Sequence, residues 1–212
     1  TADHIAVICR PVPGFRTFGE LAFPLFAFLL VEGFFHTRDR RCYGRRLLLA
    51  AAVSEIPYDL AFSGRWMDAQ HQNVCLTFFL ALVAMELLER YGNGIWEKLV
   101  LRAVFCTLTE AAGADGGAWG MGLVLAFYFC VIGNSGTNVP RHILFHEKTA
   151  GVFMKMIAAV LIGAFAWQEP LWVLALTAVC LLLYDGYRGR SRFRSFFYIY
   201  YPAHLLVLYF LS

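Results

Sequence analysis

The stretch from Leu21 to Arg46, LAFPLFAFLLVEGFFHTRDRRCYGRR, constrains this chain more than any other. Between Leu21 and Phe35 the only charge is Glu32, and then His36 and the arginines Arg38, Arg40, Arg41, Arg45 and Arg46 follow. Apolar side chains at this density seek lipid or a protein interior, whereas guanidinium groups seek water or phosphate. The junction therefore reads as a membrane edge.

The rest of the chain repeats the contrast. It is 59% apolar, 17% aromatic and 16% charged, against about 45–50% apolar and about 25% charged in soluble domains. The apolar stretches fall at 1–10, 18–35, 46–62, 73–89, 97–112, 118–133, 148–166, 170–185 and 195–211, separated by turn-forming segments such as RYGNG, GADGG and NSGTNVPRH. These lengths predict an all-α, polytopic transmembrane bundle of about nine spans. The first span is expected to be truncated at Thr1, and residues 1–212 to form a single domain.

Orientation follows from the basic residues. The loops after the second, fourth, sixth and eighth stretches hold Arg38, Arg40, Arg41, Arg45, Arg46, Arg90, Lys98, Arg141, Lys148, Arg188, Arg190, Arg192 and Arg194, and the intervening loops hold only Arg10, Arg16 and Arg65. This bias predicts a cytoplasmic amino end and cytoplasmic arginine-rich loops. A net charge of +3, spread over loops between apolar stretches, is explained by topology and calls for no nucleic-acid partner. The six cysteines are scattered, without CxxC pairs or clustered histidines. They read as packing residues, and no metal is expected.

Ionisable groups inside apolar stretches are costly unless paired or facing water, so each is a candidate for chemistry. His4, beside Asp3 in the first stretch, is either a satisfied core histidine or a general base with a carboxylate to set its tautomer. Glu55 and Asp59 are four apart, on one face of a helix interrupted by Pro57. Two such carboxylates share a proton, hold a cation such as a substrate amine, or pair with Arg45, Arg46 or Lys155. Glu32 and His36 repeat the spacing at what reads as a snorkelling helix end. The arginines of 38–46 and 188–194 make a basic surface that suits anionic lipid or a phosphate ligand.

At these residues the chain resembles a known family. The DHIA of residues 3–6, FPLFAFLLVEGFFHTRDRRCYGRRLLL, SEIPYDLAF, QNVCLTFFLAL, GAWG, YDGYRG and FFYIYYPAHLLVLY, in this order from Asp3 to about Tyr209, are similar to the TraX family of pilin-acetylation proteins. The resemblance implies a multi-pass protein of the bacterial cytoplasmic (inner) membrane that moves an acetyl group from cytoplasmic acetyl-CoA to an acceptor reached from the membrane or the far side. That acceptor would be a pilin-like peptide amine or a glycan amine or hydroxyl, with membrane lipid as the surrounding partner. It implies catalytic places for Asp3, His4, Glu55 and Asp59. The coenzyme would lie among Arg38, Arg41, Tyr43, Arg45, Arg46, Asn73, Thr77, Lys155 and Arg188, with no metal. The alternative reading is a transporter or flippase-like carrier of a small anionic or lipid-linked solute, with Glu55, Asp59 and Lys155 as its relay.

Overall fold

The computed structural model describes residues 21–134, 171–184 and 196–211. Among them every regular element is a helix: α1 (Ala22–His36), α2 (Arg40–Ser63), α3 (Val74–Tyr91), α4 (Ile95–Ala111), α5 (Gly117–Asn134), α6 (Leu171–Leu183) and α7 (Phe196–Leu211). The all-α expectation holds for these residues. The apolar stretches at 1–10 and 148–166 lie outside the described residues.

Among the described residues no helix is long and apolar enough to cross a membrane. In α1, α2 and α3 length or charge sets this limit. Helix α1 has 15 residues, α2 carries Arg40, Arg41, Arg45, Arg46, Glu55 and Asp59, and α3 ends in Glu86, Glu89 and Arg90.

Helix α2 starts at Arg40, earlier than its apolar stretch, because the Asp39 carboxylate accepts the Cys42 backbone N–H at 2.8 Å and caps the first turn. The arginines of 40–46 are thus helical, not part of a loop. Gly64 closes α2 in the left-handed region, at φ 66°, and donates its N–H to the Leu60 carbonyl at 3.2 Å.

Helix α3 is the centre of the bundle, packed against α1, α2, α4 and α5. Its Ala81, Ala84 and Met85 are fully buried. Aromatic contacts lock α1 to α5: Phe28 meets Phe127 edge-on at 6.4 Å, and Tyr128 lies edge-on to Phe34 and stacked on Phe35.

The register of α2 against α3 positions everything that follows. Arg40 meets Glu86 and Glu89 at one end, the space beside Gly44 faces Leu82, and Asn73 reaches Ala51 and Glu55. The helices are therefore antiparallel, and α3 begins level with Glu55 while α2 runs on to Ser63. At 1.5 Å per residue this overhang is about 12 Å. The chain folds back along it through residues 64–72 and is tied to the α4–α5 connection by a parallel bridge between Gln72 and Ala114. In that bridge Gln72 N–H donates to the Gly113 carbonyl at 2.8 Å, and Asp115 N–H donates to the Gln72 carbonyl at 2.9 Å. Gly113 has φ 62°, and a Cβ there would lie 2.0 Å from the Gln70 carbonyl oxygen, so the close approach requires glycine.

Candidate functional site

Two polar regions sit at different heights along α2. The first is an acid and amide cluster where the fold-back meets α2. Asn73 ends the fold-back as the N-cap of α3, its Oδ1 accepting the Cys75 N–H at 3.0 Å. Its Nδ2 donates to the Ala51 carbonyl at 2.9 Å and to Glu55 Oε2. Asp59, one turn further along α2, accepts the Asp68 backbone N–H on Oδ2 at 2.8 Å.

Each carboxylate is thus fixed through one oxygen. Among the described residues the other oxygens, Glu55 Oε1 and Asp59 Oδ1, are buried with no hydrogen-bond partner, as is Ser54 Oγ. Asp59 is 3% exposed, and Ser54 and Asn73 are fully buried. An unsatisfied buried acceptor costs about 1–3 kcal/mol, and natural structures keep few of them without a functional reason. Thr77, one turn into α3, donates its hydroxyl to the Asp115 carbonyl at 2.6 Å and anchors the α4–α5 connection beside the cluster.

The second region is the arginine end. Arg40 is committed to structure: its guanidinium donates to Glu86 Oε2 at 3.1 Å, to Glu89 at 2.5 and 3.2 Å and to the Phe34 carbonyl at 3.3 Å, and lies 3.7 Å over the Phe34 ring. Its side chain is 13% exposed. Burial alone lowers the pKa of this group, but the bonds and charge of Glu89, then Glu86, raise it above its ordinary value. Arg38, Arg41, Arg45 and Arg46 are exposed and make no ion pair among the described residues. Tyr43 packs between α1 and α2, where a Cβ on Gly33 would come within 3.0 Å of its hydroxyl.

The structure brings Glu55, Asp59, Asn73 and Thr77 together and sets them apart from Arg38, Arg41, Arg45 and Arg46. From Arg46 to Glu55 is nine residues of α2, or about 14 Å along its axis. Asn73 and Thr77 therefore belong with the carboxylates, and their donors serve Glu55, Ala51 and Asp115. Glu55 takes its bond from Asn73, and no ion pair with Arg45 or Arg46 forms. Asp3, His4, Lys155 and Arg188 lie outside the described residues. Near the arginine end, Glu32 accepts the Tyr184 hydroxyl, and His36 Nδ1 sits 3.0 Å from the Glu32 backbone carbonyl, not its carboxylate.

Sequence reasoning missed three features. One is the Arg40–Glu86–Glu89 junction, for which two glutamates three apart on one helix face were the available signal. Another is Asp68 with His71, three apart in the fold-back, whose Oδ2 and Nδ1 lie 3.3 Å apart. The third is Glu110, whose Oε2 accepts the Ala118 N–H at 2.8 Å in the first turn of α5.

These features define, among the described residues, an all-helical bundle with a partly unsatisfied acid cluster inside it and an exposed arginine surface at residues 38–46. The chain belongs to the TraX protein family, which it matches over residues 1–212. It is also similar to the probable fimbrial assembly protein FimC, serogroup H1, of Dichelobacter nodosus, with 28% identity over 216 residues covering 91% of this chain and 80% of that protein. No solved structure matches.

Proposed function

We propose that the protein is a membrane-embedded acetyltransferase with a pilin-related role, moving an acetyl group from cytoplasmic acetyl-CoA to an amine or hydroxyl of an acceptor that arrives at the opposite end of the bundle. Family membership and the fimbrial-assembly name of a relative support the pilin-related part. The membrane setting is supported by the outward apolar surface of the bundle, including Leu49, Val53, Val100 and Val104, and by exposed aromatics near its ends: Trp66 and Trp119 on one side, Tyr91 and Trp96 on the other.

The observation that carries the reading is the division of each carboxylate of the Glu55–Asp59 pair into a held oxygen and an unpartnered one. Close carboxylates in a low-dielectric interior repel unless a proton or a cation lies between them, so the pair is suited to hold a protonated amine. The exposed Arg38, Arg41, Arg45 and Arg46 suit the phosphates of a coenzyme, since the planar guanidinium matches phosphate oxygens.

In the proposed reaction His4, oriented by Asp3, takes a proton from the acceptor as its nitrogen or oxygen attacks the thioester carbonyl carbon. A carbon–nitrogen or carbon–oxygen bond forms, the carbon–sulfur bond breaks, and the thiolate takes the proton from His4 and leaves as the thiol. Glu55 and Asp59 hold the acceptor, Asn73 fixes Glu55 in place, and Lys155 and Arg188 extend the coenzyme site.

The test is thermal unfolding of the purified full chain with and without acetyl-CoA. Binding to the native state raises the midpoint with the logarithm of the ligand excess over Kd, by about 2.7 kcal/mol of stability at a hundredfold excess. The reading expects that rise, and expects Arg46→Ala to diminish it. No rise at saturating acetyl-CoA would remove the coenzyme from the account.

A further inference from the structure

Between the buried carboxylates and the outside stands a third acid, Asp68, with every polar part in use. Its backbone N–H donates to Asp59 Oδ2 at 2.8 Å, and its Oδ1 accepts the Gln70 N–H at 3.0 Å. Its carbonyl accepts from Gln72 Nε2 at 3.1 Å, and its Oδ2 lies 3.3 Å from His71 Nδ1. These bonds and the nearby His71 and Arg65 charges hold the Asp68 carboxyl below its usual range, so it remains an anion. The His71 side chain is 72% exposed, and its Nδ1 faces Asp68. The imidazole therefore stands two residues before Asn73, which holds Glu55, and one residue beyond Asp59 through Asp68. Asp68 faces the ring and Arg65 lies near Asp68 on the fold-back, Asp59 on α2 is bonded to the Asp68 backbone, Glu55 is held from Asn73, and Asp115 on the α4–α5 connection donates its backbone N–H to the Gln72 carbonyl next to His71 in the chain.

We propose that His71 is a second proton acceptor of this protein, one that converts an incoming ammonium group to its reactive free amine at the mouth of the acid cluster. This rests on the acetyl-transfer reading and deepens it. Acetylation of an ammonium by a thioester releases two protons from nitrogen and uses only one, on the departing thiol. The first proton passes from the ammonium to His71 Nε2, leaving a neutral amine. The imidazolium is stabilised by the Asp68 anion and gives its proton to bulk water, which its exposure allows. The second proton leaves nitrogen as the carbon–nitrogen bond forms, and ends on the coenzyme sulfur once the carbon–sulfur bond has broken. Asp59, 3% exposed with Oδ1 unpartnered, supplies the negative charge that draws the ammonium to this place. Asp68 is a positioning residue that fixes both the ring and Asp59.

The experiment measures acetyl transfer from acetyl-CoA to a short peptide with a free α-amino group, by the full-length protein, across pH. The α-amino group titrates near pH 7.7–8.0, so it is an ammonium at about pH 6.5 and a free amine at about pH 9. His71→Ala is expected to lose about 20-fold in kcat/KM at the lower pH, where only about one amine in twenty is already free, and to approach wild type at the higher. Added imidazole is expected to restore transfer at the lower pH. Asp68→Asn retains the backbone donor to Asp59 and is expected to produce the same pH-dependent loss in smaller measure. An equal loss at both pH values, absence of imidazole rescue, or no loss at all would overturn the proposal. A wild type that transfers nothing at any pH would instead remove the acetyl-transfer reading itself, and the role of His71 with it.

Discussion

Asn73 holds Glu55 with the same side chain that starts α3: Nδ2 donates to Glu55 Oε2 and to the Ala51 carbonyl, and Oδ1 accepts the Cys75 N–H. One buried amide therefore sets where the helix begins, how far the fold-back descends along α2, and which oxygen of the acid remains unpartnered.

Asn73→Ala removes all three bonds. An N-cap is worth about 1 kcal/mol, and losing the Nδ2 bonds to Glu55 and the Ala51 carbonyl costs about 1–3 kcal/mol more. The expected loss, about 2–4 kcal/mol, would be read as a lowered unfolding midpoint of the purified chain. Asn73→Ser restores the cap alone and should recover only part of it.

Arg40 and Arg46 lie less than two helical turns apart but have different tasks. Arg40→Ala leaves Glu86 and Glu89 facing each other beside a buried carbonyl. The loss is expected at about 1–3 kcal/mol, below the 3–5 kcal/mol of a fully buried pair because Glu86 is 40% exposed. Arg40→Lys should not restore it, since an ammonium cannot fork across two carboxylates while stacking on Phe34. Arg46→Ala should leave stability near wild type and raise the KM for acetyl-CoA. Unfolding and steady-state kinetics on both variants separate the two roles.

The acid limb of stability is expected to depend on Asp68. Its folded pKa lies below the usual value of 3.8, so the unfolded chain binds the proton more readily. The contribution is present above the unfolded pKa and lost as pH falls through the folded one. Asp68→Asn should flatten the stability profile below about pH 4, where a free carboxylate begins to protonate. An acid-unfolding series on wild type and variant checks this.

Helix type and the carboxylate pair were legible in the sequence, because the apolar stretches are long and Glu55 and Asp59 stand at a helical spacing. The start of α2 at Arg40 was legible only through Asp39, a capping residue placed before a run of arginines. The fold-back was not legible: it rests on a bridge between Gln72 and Ala114, which no local pattern couples. The use of Arg40 as a structural cation was hidden for the same reason, since its partners lie 46 and 49 residues away. Arg38, Arg41, Arg45 and Arg46 look identical to Arg40 in sequence, and only the position of α3 separates them. Asp3, His4, Lys155 and Arg188 lie outside the described residues, and their places rest on the sequence and the family resemblance.

The most direct test of the account is acetyl transfer from labelled acetyl-CoA to a peptide amine by the purified full chain, wild type against Glu55→Gln and Asp59→Asn. These substitutions remove charge but keep shape and the held oxygen. The account predicts that wild type transfers the label and that either variant loses about 100-fold or more in kcat/KM for the amine while its KM for acetyl-CoA is unchanged. Wild-type rates in both variants would contradict it.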